Sequence, residues 1–176
     1  SFLDLARLES GRVQFRKTRF SSADLIYEVR DVMMSKAQET GIQIRVDLPT
    51  DMPLLEADRD KIKQVLINLI SNAIKYNRPN GSVILLGDFT DEEISITVQD
   101  TGLGIPDDAL PHLFQKFYRV REHEGKASGT GLGLSICKQI VQGHAGRIEV
   151  KSKMGVGTSF NIFLPRSPRT MPRNNS

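Results

Sequence analysis

Three polar residues stand at helical spacing in the run QVLINLISNAIKYN: Asn68, Asn72 and Lys75. Asparagine is a poor helix-interior residue because its amide competes for nearby backbone groups, so two of them four apart call for a reason. At about 100° per residue the three fall within about 60° of one another, while Ile62, Leu66, Leu69 and Ala73 gather on the far side. Two amide oxygens and an ammonium on one face suit Mg²⁺ and anionic oxygens. That ion takes one or two protein ligands and completes its octahedron with water and phosphate. For this helix taken alone, a plain solvated polar face is an equal account.

In EISITVQD the alternation sends Ile94, Ile96 and Val98 to one face, and Asp100 is the next residue of that set. An inward carboxylate left unmet costs several kcal/mol, so a protein cation, backbone N–H groups or a ligand amine must meet it; the exocyclic amino group of adenine is one such donor. Gly102 and Gly104 just beyond let backbone approach a flat ring closely. An Asp capping a turn before glycine is the other account. Farther on, SGTGLGLSI sets Gly129, Gly131 and Gly133 at the start of a helix, where free N–H groups and the positive dipole end favour phosphate. The run fits neither Gly-x-x-x-x-Gly-Lys-Ser/Thr nor Gly-x-Gly-x-x-Gly, so P-loop and Rossmann readings fail by pattern. Between the glycine stretches, LFQKFYRVREHEG offers Phe114 and Phe117 as lid anchors and Lys116, Arg119 or Arg121 as a cation for a terminal phosphate. Ordinary core aromatics and solvated basic residues are the alternative.

The elements that must hold these groups follow from pattern and punctuation. Phe2, Leu5 and Leu8 mark the end of a helix that breaks at Gly11, and RVQFRKTRF reads as a short strand. A helix follows over SSADLIYEVRDVMMSKAQETG, capped by Ser21 or Ser22, stopped at Gly41, with Leu25, Val29 and Val32 on one face. IQIRVDL alternates as a strand, LLEAD is a short extended piece, and Asp58 is a plausible N-cap for the helix carrying the asparagines. SVILLGDF and EISITVQD form a hairpin through TDE. A loop of roughly two dozen residues, long enough to be functional, leads to a helix with Leu132, Ile136 and Ile140 on one face. GRIEVKS and GTSFNIFLP close as a strand pair. Helices interspersed with a mixed set of strands predict a two-layer α/β sandwich, not a strict βαβ series.

Composition sets the limits. A chain of 176 residues, 39% hydrophobic, is that of an ordinary globular protein with one or two domains. No transmembrane run or signal peptide is present in it. The opening with Ser, mid-pattern, predicts a piece of something longer. A single cysteine, Cys137, excludes an internal disulfide and fits a reducing, cytoplasmic setting. The net charge of +3 is held by Arg166, Arg169 and Arg173 in an acid-free tail, so a nucleic-acid groove is not expected and a disordered tail over 166–176 is.

In this order, NLISNAIKYN, DTGLGIP, LFQKFYR and GTGLGLSI resemble the asparagine box, first glycine box, phenylalanine box and second glycine box of the ATP-binding catalytic domain of bacterial sensor histidine kinases, within the larger family shared with gyrase-type, Hsp90-type and MutL-type ATPases. GVGTSF resembles the threonine-bearing strand that closes the pocket, and LDLARLESGRV the end of the family's second dimerisation helix. The resemblance spans roughly residues 1–165. It implies the Bergerat α/β sandwich, a mixed sheet covered by about three helices, with a flexible ATP lid from about Ile105 to Thr130. It divides the chain into a hairpin-helix end over 1–10, an ATP-binding domain over 11–165 and the tail.

By this resemblance Asn72 is the Mg²⁺ ligand and Asn68 supports metal and phosphate, while Lys75 and Tyr76 line the nucleotide pocket. Asp100 accepts from the adenine amino group, with Thr158 near it through a water, and Gly102, Gly104 and Ile105 border the base. Phe117 belongs to the lid side of the site, Arg119 meets the γ-phosphate, and Gly129, Thr130, Gly131, Leu132 and Gly133 flank the phosphates. The phosphoacceptor motif of the type His-Glu-Leu-Arg-Thr-Pro is absent from the sequence. His112, His123 and His144 are expected to be structural or solvated, His123 the most exposed. The implied function is Mg-ATP binding and γ-phosphoryl donation to a histidine on a separate dimerisation domain, in two-component signalling with a response regulator receiver domain. The chain itself is expected to be a monomer and the longer protein a homodimer, soluble or membrane-anchored. A nucleotide-gated docking module and a gyrase-type ATPase are the other readings. For the latter the family uses a glutamate base where Asn68 stands here.

Overall fold

The protein is described by a computed structural model over residues 2–125 and 129–167. Most of the expected tail, from 168 onward, and residues 126–128 of the expected lid lie outside the described residues. Five strands form a mixed sheet: β2 (Gln43–Asp47), β4 (Ser82–Phe89), β5 (Glu93–Asp100), β6 (Arg147–Lys153) and β7 (Gly157–Pro165), in the order β2-β4-β5-β7-β6. β2 runs parallel to β4, and the other pairings are antiparallel. β1 (Lys17–Ser21) and β3 (Leu54–Asp58) pair separately as an antiparallel ribbon. The expected first strand is thus only the second half of RVQFRKTRF, together with Ser21.

One face of the sheet carries α2 (Ser22–Glu39), α3 (Arg59–Lys75) and α4 (Gly133–Gly143), as the two-layer reading requires. α2 begins where the Ser21 side chain accepts from the Asp24 N–H at 3.1 Å, and ends before Gly41, whose φ is +71°. α3 begins at Asp58, whose two carboxylate oxygens accept from Lys61 and Arg16 N–H groups at 3.2 and 3.0 Å. Its apolar stripe of Ile62, Val65, Leu66, Leu69, Ile70, Ala73 and Ile74 is buried against the sheet. Burial of each large apolar side chain contributes about 1.5–3 kcal/mol, so this stripe fixes which face of α3 is left for the asparagines. Val32 departs from expectation at 51% exposed, because the buried stripe of α2 runs through Leu25, Ile26, Val29, Met33 and Ala37 and leaves Val32 beyond its edge.

α1 (Phe2–Glu9) packs on α4, and its Leu5 is 1% exposed within the same core. Arg166 continues β7: its N–H donates to the Glu92 carbonyl at 2.9 Å and its carbonyl accepts from the Glu56 N–H. The described chain is therefore ordered by main-chain bonds one residue past the expected boundary.

Candidate functional site

α3 presents Asn68, Ser71, Asn72 and Lys75 from its polar face into a cavity of about 350 Å³. Facing them are Tyr118, Arg119, Val120 and His123 from the loop after β5, and Gly129, Thr130, Gly131, Gly133 and Leu134 at the start of α4. α4 has no side-chain cap. The positive end of its dipole and its first N–H groups are thus directed at this cavity, an arrangement suited to phosphate. Gly131 has φ +74°, and a Cβ there would lie 2.7 Å from the Phe117 backbone, so the turn into α4 needs glycine. Gly129 and Gly133 have nothing within 4 Å of a Cβ; their glycines leave the cavity wall open.

The cations are crowded. Burial, followed by the charges of Lys36 and Arg119, holds the Lys75 ammonium below the usual lysine range. Lys36, on α2, donates from Nζ to Ser71 Oγ at 3.0 Å. Neither Lys36 nor Ser71 was legible as a site residue, since their approach depends on α2 lying beside α3. Asn68 reaches toward the core beside Cys137, whose thiol donates to the Val65 carbonyl at 3.8 Å. Burial pushes that thiol up to about 12, so it is inert at neutral pH. Among the described residues no three of His, Cys, Asp and Glu gather as a metal cage. The oxygen donors on this face of α3 are the two amides and the Ser71 hydroxyl, the latter already engaged by Lys36, a set that fits a hard ion drawing its remaining ligands from phosphate and water.

A smaller cavity of about 60 Å³ adjoins the first, sharing Asn72, Tyr76, Leu113, Val120, His123 and Leu134. Asp100 stands in its wall with Gly104, Ile105, Thr158 and Phe160. Asp100 Oδ1 accepts from the Gly102 N–H at 2.8 Å and the Thr158 N–H at 3.2 Å. Both bonds fall on one oxygen, and among the described residues Oδ2 meets no donor. Burial outweighs these two donors and pushes the carboxyl from 3.8 up to about 6. Gly102 makes the first bond possible: a Cβ would lie 2.4 Å from the Tyr76 carbonyl. That carbonyl also accepts from the Leu103 N–H at 2.9 Å, which fastens the end of α3 to the glycine stretch.

Most expected site residues converge on these two cavities. Phe117 does not: it is 60% exposed, at φ +64°, and stacks on Phe2 with centroids 6.3 Å apart. Leu132 is 4% exposed in the core, and Leu134 faces the cavities in its place, because the helix starts at Gly133 and turns its second residue outward. Thr158 reaches Asp100 through its main-chain N–H, while its hydroxyl pairs with Ser152 Oγ at 2.8 Å. His123 overturns its expectation of exposure. It is 7% exposed, its Nε2 donates to the Gly104 carbonyl at 2.8 Å, and its ring stacks on Tyr76 at 4.7 Å. His144 is buried and neutral by its bonds: Nδ1 donates to the Ile140 carbonyl at 2.8 Å and Nε2 accepts from the Asp58 N–H at 3.0 Å.

Comparison with known proteins places this geometry. Residues 57–168 match the family described as histidine kinase-, DNA gyrase B-, and HSP90-like ATPase. Over 165 residues the sequence is 38% identical to the adaptive-response sensory kinase SasA of Synechococcus elongatus, covering 93% of this chain and 42% of that one. The catalytic domain of histidine kinase ThkA superposes with a TM-score of 0.78 at 32% identity, over 88% of this chain and 98% of that one. ThkA in complex with the response regulator protein TrrA gives 0.75 at 27% identity, over 95% and 48%. Full-length ShkA in complex with AMPPNP gives 0.85 at 28% identity, over 97% and 35%. The chain thus spans less than half of the SasA sequence it matches.

Proposed function

Because the chain belongs to the histidine kinase-, DNA gyrase B- and HSP90-like ATPase family, on its histidine kinase side, we propose that it binds Mg-ATP and presents the γ-phosphoryl group to a histidine on a separate dimerisation domain. The observation that carries this is one helix face. Asn68, Asn72 and Lys75 line a 350 Å³ cavity opposite Arg119 and the uncapped start of α4, and Asp100 waits in the adjoining cavity. That volume is in the range of ligand sites, which run from about 300 to 1,000 Å³.

In this reading Asp100 Oδ2 accepts from the adenine amino group, and Gly104 and Ile105 border the ring. The α4 N–H groups, Lys75 and Arg119 hold the phosphates. Asn72, with Asn68 beside it, would hold Mg²⁺, which would supply charge neutralisation to the phosphoryl group. Catalysis then consists of positioning and electrostatics. The lone pair of a neutral imidazole nitrogen forms the new P–N bond, the bond to the β,γ-bridging oxygen breaks, and ADP leaves with its electron pair. The imidazole releases its remaining N–H proton to solvent. The phosphoryl group passes next to a receiver domain; the complex of ThkA with a response regulator supports that partner. Asn68 argues against a hydrolytic clamp, since an amide cannot act as the base that activates water.

The test is calorimetric titration with a non-hydrolysable ATP analogue, with and without Mg²⁺, followed by transfer from radiolabelled ATP to an added histidine-bearing hairpin. Binding that responds to Mg²⁺, with label appearing on the hairpin, is expected. Steady ATP hydrolysis without transfer would place the chain among the clamps instead.

A further inference from the structure

His123 is out of keeping with its surroundings. It sits in a surface turn where Arg121, Glu122, Glu124 and Gly125 are all exposed, yet its own ring is buried. A buried imidazole must be hydrogen-bonded, and this one finds its partner inside the smaller cavity, at the Gly104 carbonyl. Its ring lies over Tyr76 at 4.7 Å with an interplanar angle of 22°, the geometry of an offset aromatic stack. Leu113, Val120, Leu134 and Phe160 complete a slot with apolar walls around it, and Asp100 stands in the same wall.

An aromatic ring with one hydrogen-bonding edge, stacked on tyrosine beside a buried carboxylate, does what a nucleobase would do there. With the ring in place, the space left beside it is only about 60 Å³, well below the roughly 300 Å³ at which ligand sites begin. We infer that His123 is the protein's own occupant of the base subsite: its imidazole competes with the adenine ring for the face of Tyr76, and a nucleotide must turn His123 out as it enters. This rests on the reading of the cavity as an adenine nucleotide site.

The consequence is a weakened apparent affinity, because only the fraction of molecules with the ring withdrawn accepts ligand. A stack and one hydrogen bond hold the ring in place, which corresponds to a reduction on the order of tenfold. The penalty belongs to the base alone. It applies equally to adenosine and to an ATP analogue, and does not touch binding of inorganic triphosphate.

The experiment titrates the parent chain, His123→Ala and His123→Asn with adenosine, AMPPNP and inorganic triphosphate. NMR on the parent follows the imidazole C–H signals, which Tyr76 shifts by its ring current. The expected result is tighter binding of adenosine and AMPPNP by His123→Ala on the order of tenfold, a smaller gain for His123→Asn, unchanged triphosphate binding, and parent imidazole signals that move toward free imidazole as adenosine is added. Weaker binding by His123→Ala would mean that the ring contacts the bound base, and would overturn the inference. Equal binding, or imidazole signals that stay put at saturation, would overturn it too. If parent and variants bind no adenine compound, the nucleotide reading falls and this inference with it, an outcome distinct from unchanged affinity in a parent that does bind.

Discussion

Replacing Asp100 with Asn should weaken nucleotide binding and strengthen the fold at once. In the structure Oδ1 already serves two N–H groups, from Gly102 and Thr158. An asparagine keeps that oxygen in place and puts an NH₂ where Oδ2 faces the ligand, so donor meets donor at the adenine amino group. Loss of a hydrogen bond to a charged group costs about 1.5–3 kcal/mol, or about 10- to 150-fold in Kd. The same substitution removes a charge that the fold holds at a cost. A carboxyl raised from 3.8 to about 6 corresponds to about 3 kcal/mol of stability withheld at neutral pH. The sign follows from proton counts. Between those two values the native state binds more protons than the unfolded one, so the native state loses stability as pH rises through that window, and the full loss stands above about pH 6. Asp100→Asn should match the parent in stability below about pH 4 and exceed it at pH 7.5, raising Tm by about 2–4 °C for each kcal/mol recovered. Calorimetric titration with AMPPNP and with its 6-oxo inosine counterpart checks the binding half; the variant should lose the adenine ligand and gain the other, whose oxygen accepts from the new NH₂. Adenine affinity within threefold of the parent, or a lower Tm at pH 7.5, would refute the placement of Asp100 under the base.

Asn72→Ala should abolish the gain in AMPPNP affinity produced by Mg²⁺ while changing the metal-free affinity by less than about threefold, given that a single amide–ion contact is removed; paired titrations with and without the metal decide it. Gly131→Ala should cost about 1–3 kcal/mol, since the residue holds φ +74° and its Cβ would press on the Phe117 backbone, and urea unfolding reads the loss directly. His144, with its folded pKa lowered by burial, binds fewer protons folded than unfolded. Its contribution is therefore full above about pH 6.5 and declines as pH falls toward the lowered value, with the Lys17 charge pressing the same way and Asp58 opposing it. The difference in unfolding free energy between the parent and His144→Gln, followed from pH 8 to 5, should shrink on the acid side and stay flat on the alkaline side. Lys36→Ala should weaken binding of a triphosphate more than that of adenosine, and the effect should fade with added salt.

What could be read from the sequence was what local periodicity governs. The polar stripe of Asn68, Asn72 and Lys75 follows from the 3.6-residue repeat of α3, and the inward turn of Asp100 from the two-residue repeat of β5. Both predictions needed only the element that carries them. Asp58 and Ser21 declared the helix starts because capping is local chemistry. The failures lie where two distant segments meet. Lys36 reaches Ser71 across the seam between α2 and α3, and His123 is buried by the accident of a turn folding onto Tyr76. Its neighbours Arg121, Glu122 and Glu124 signal solvent, and nothing in a run of charged residues marks one ring as turned inward. Phe117 departs from its reading as a lid residue of the site for a related reason: its partner is Phe2, more than a hundred residues away in sequence, and it holds φ +64° where its backbone passes Gly131.

That exposed ring gives α1 a grip on the site. Phe117 stacks on Phe2, and Lys116 pairs with Glu9 at 2.7 Å, so both ends of an eight-residue helix are fastened just ahead of Arg119. The stack contributes about 0.5–1.5 kcal/mol and the half-exposed ion pair about 0–1 kcal/mol. A joint of that strength changes a population by one to two factors of ten at most. Contacts of that strength hold α1 against the segment just before Arg119 without locking the two together, so the helix can part from the loop without either one unfolding.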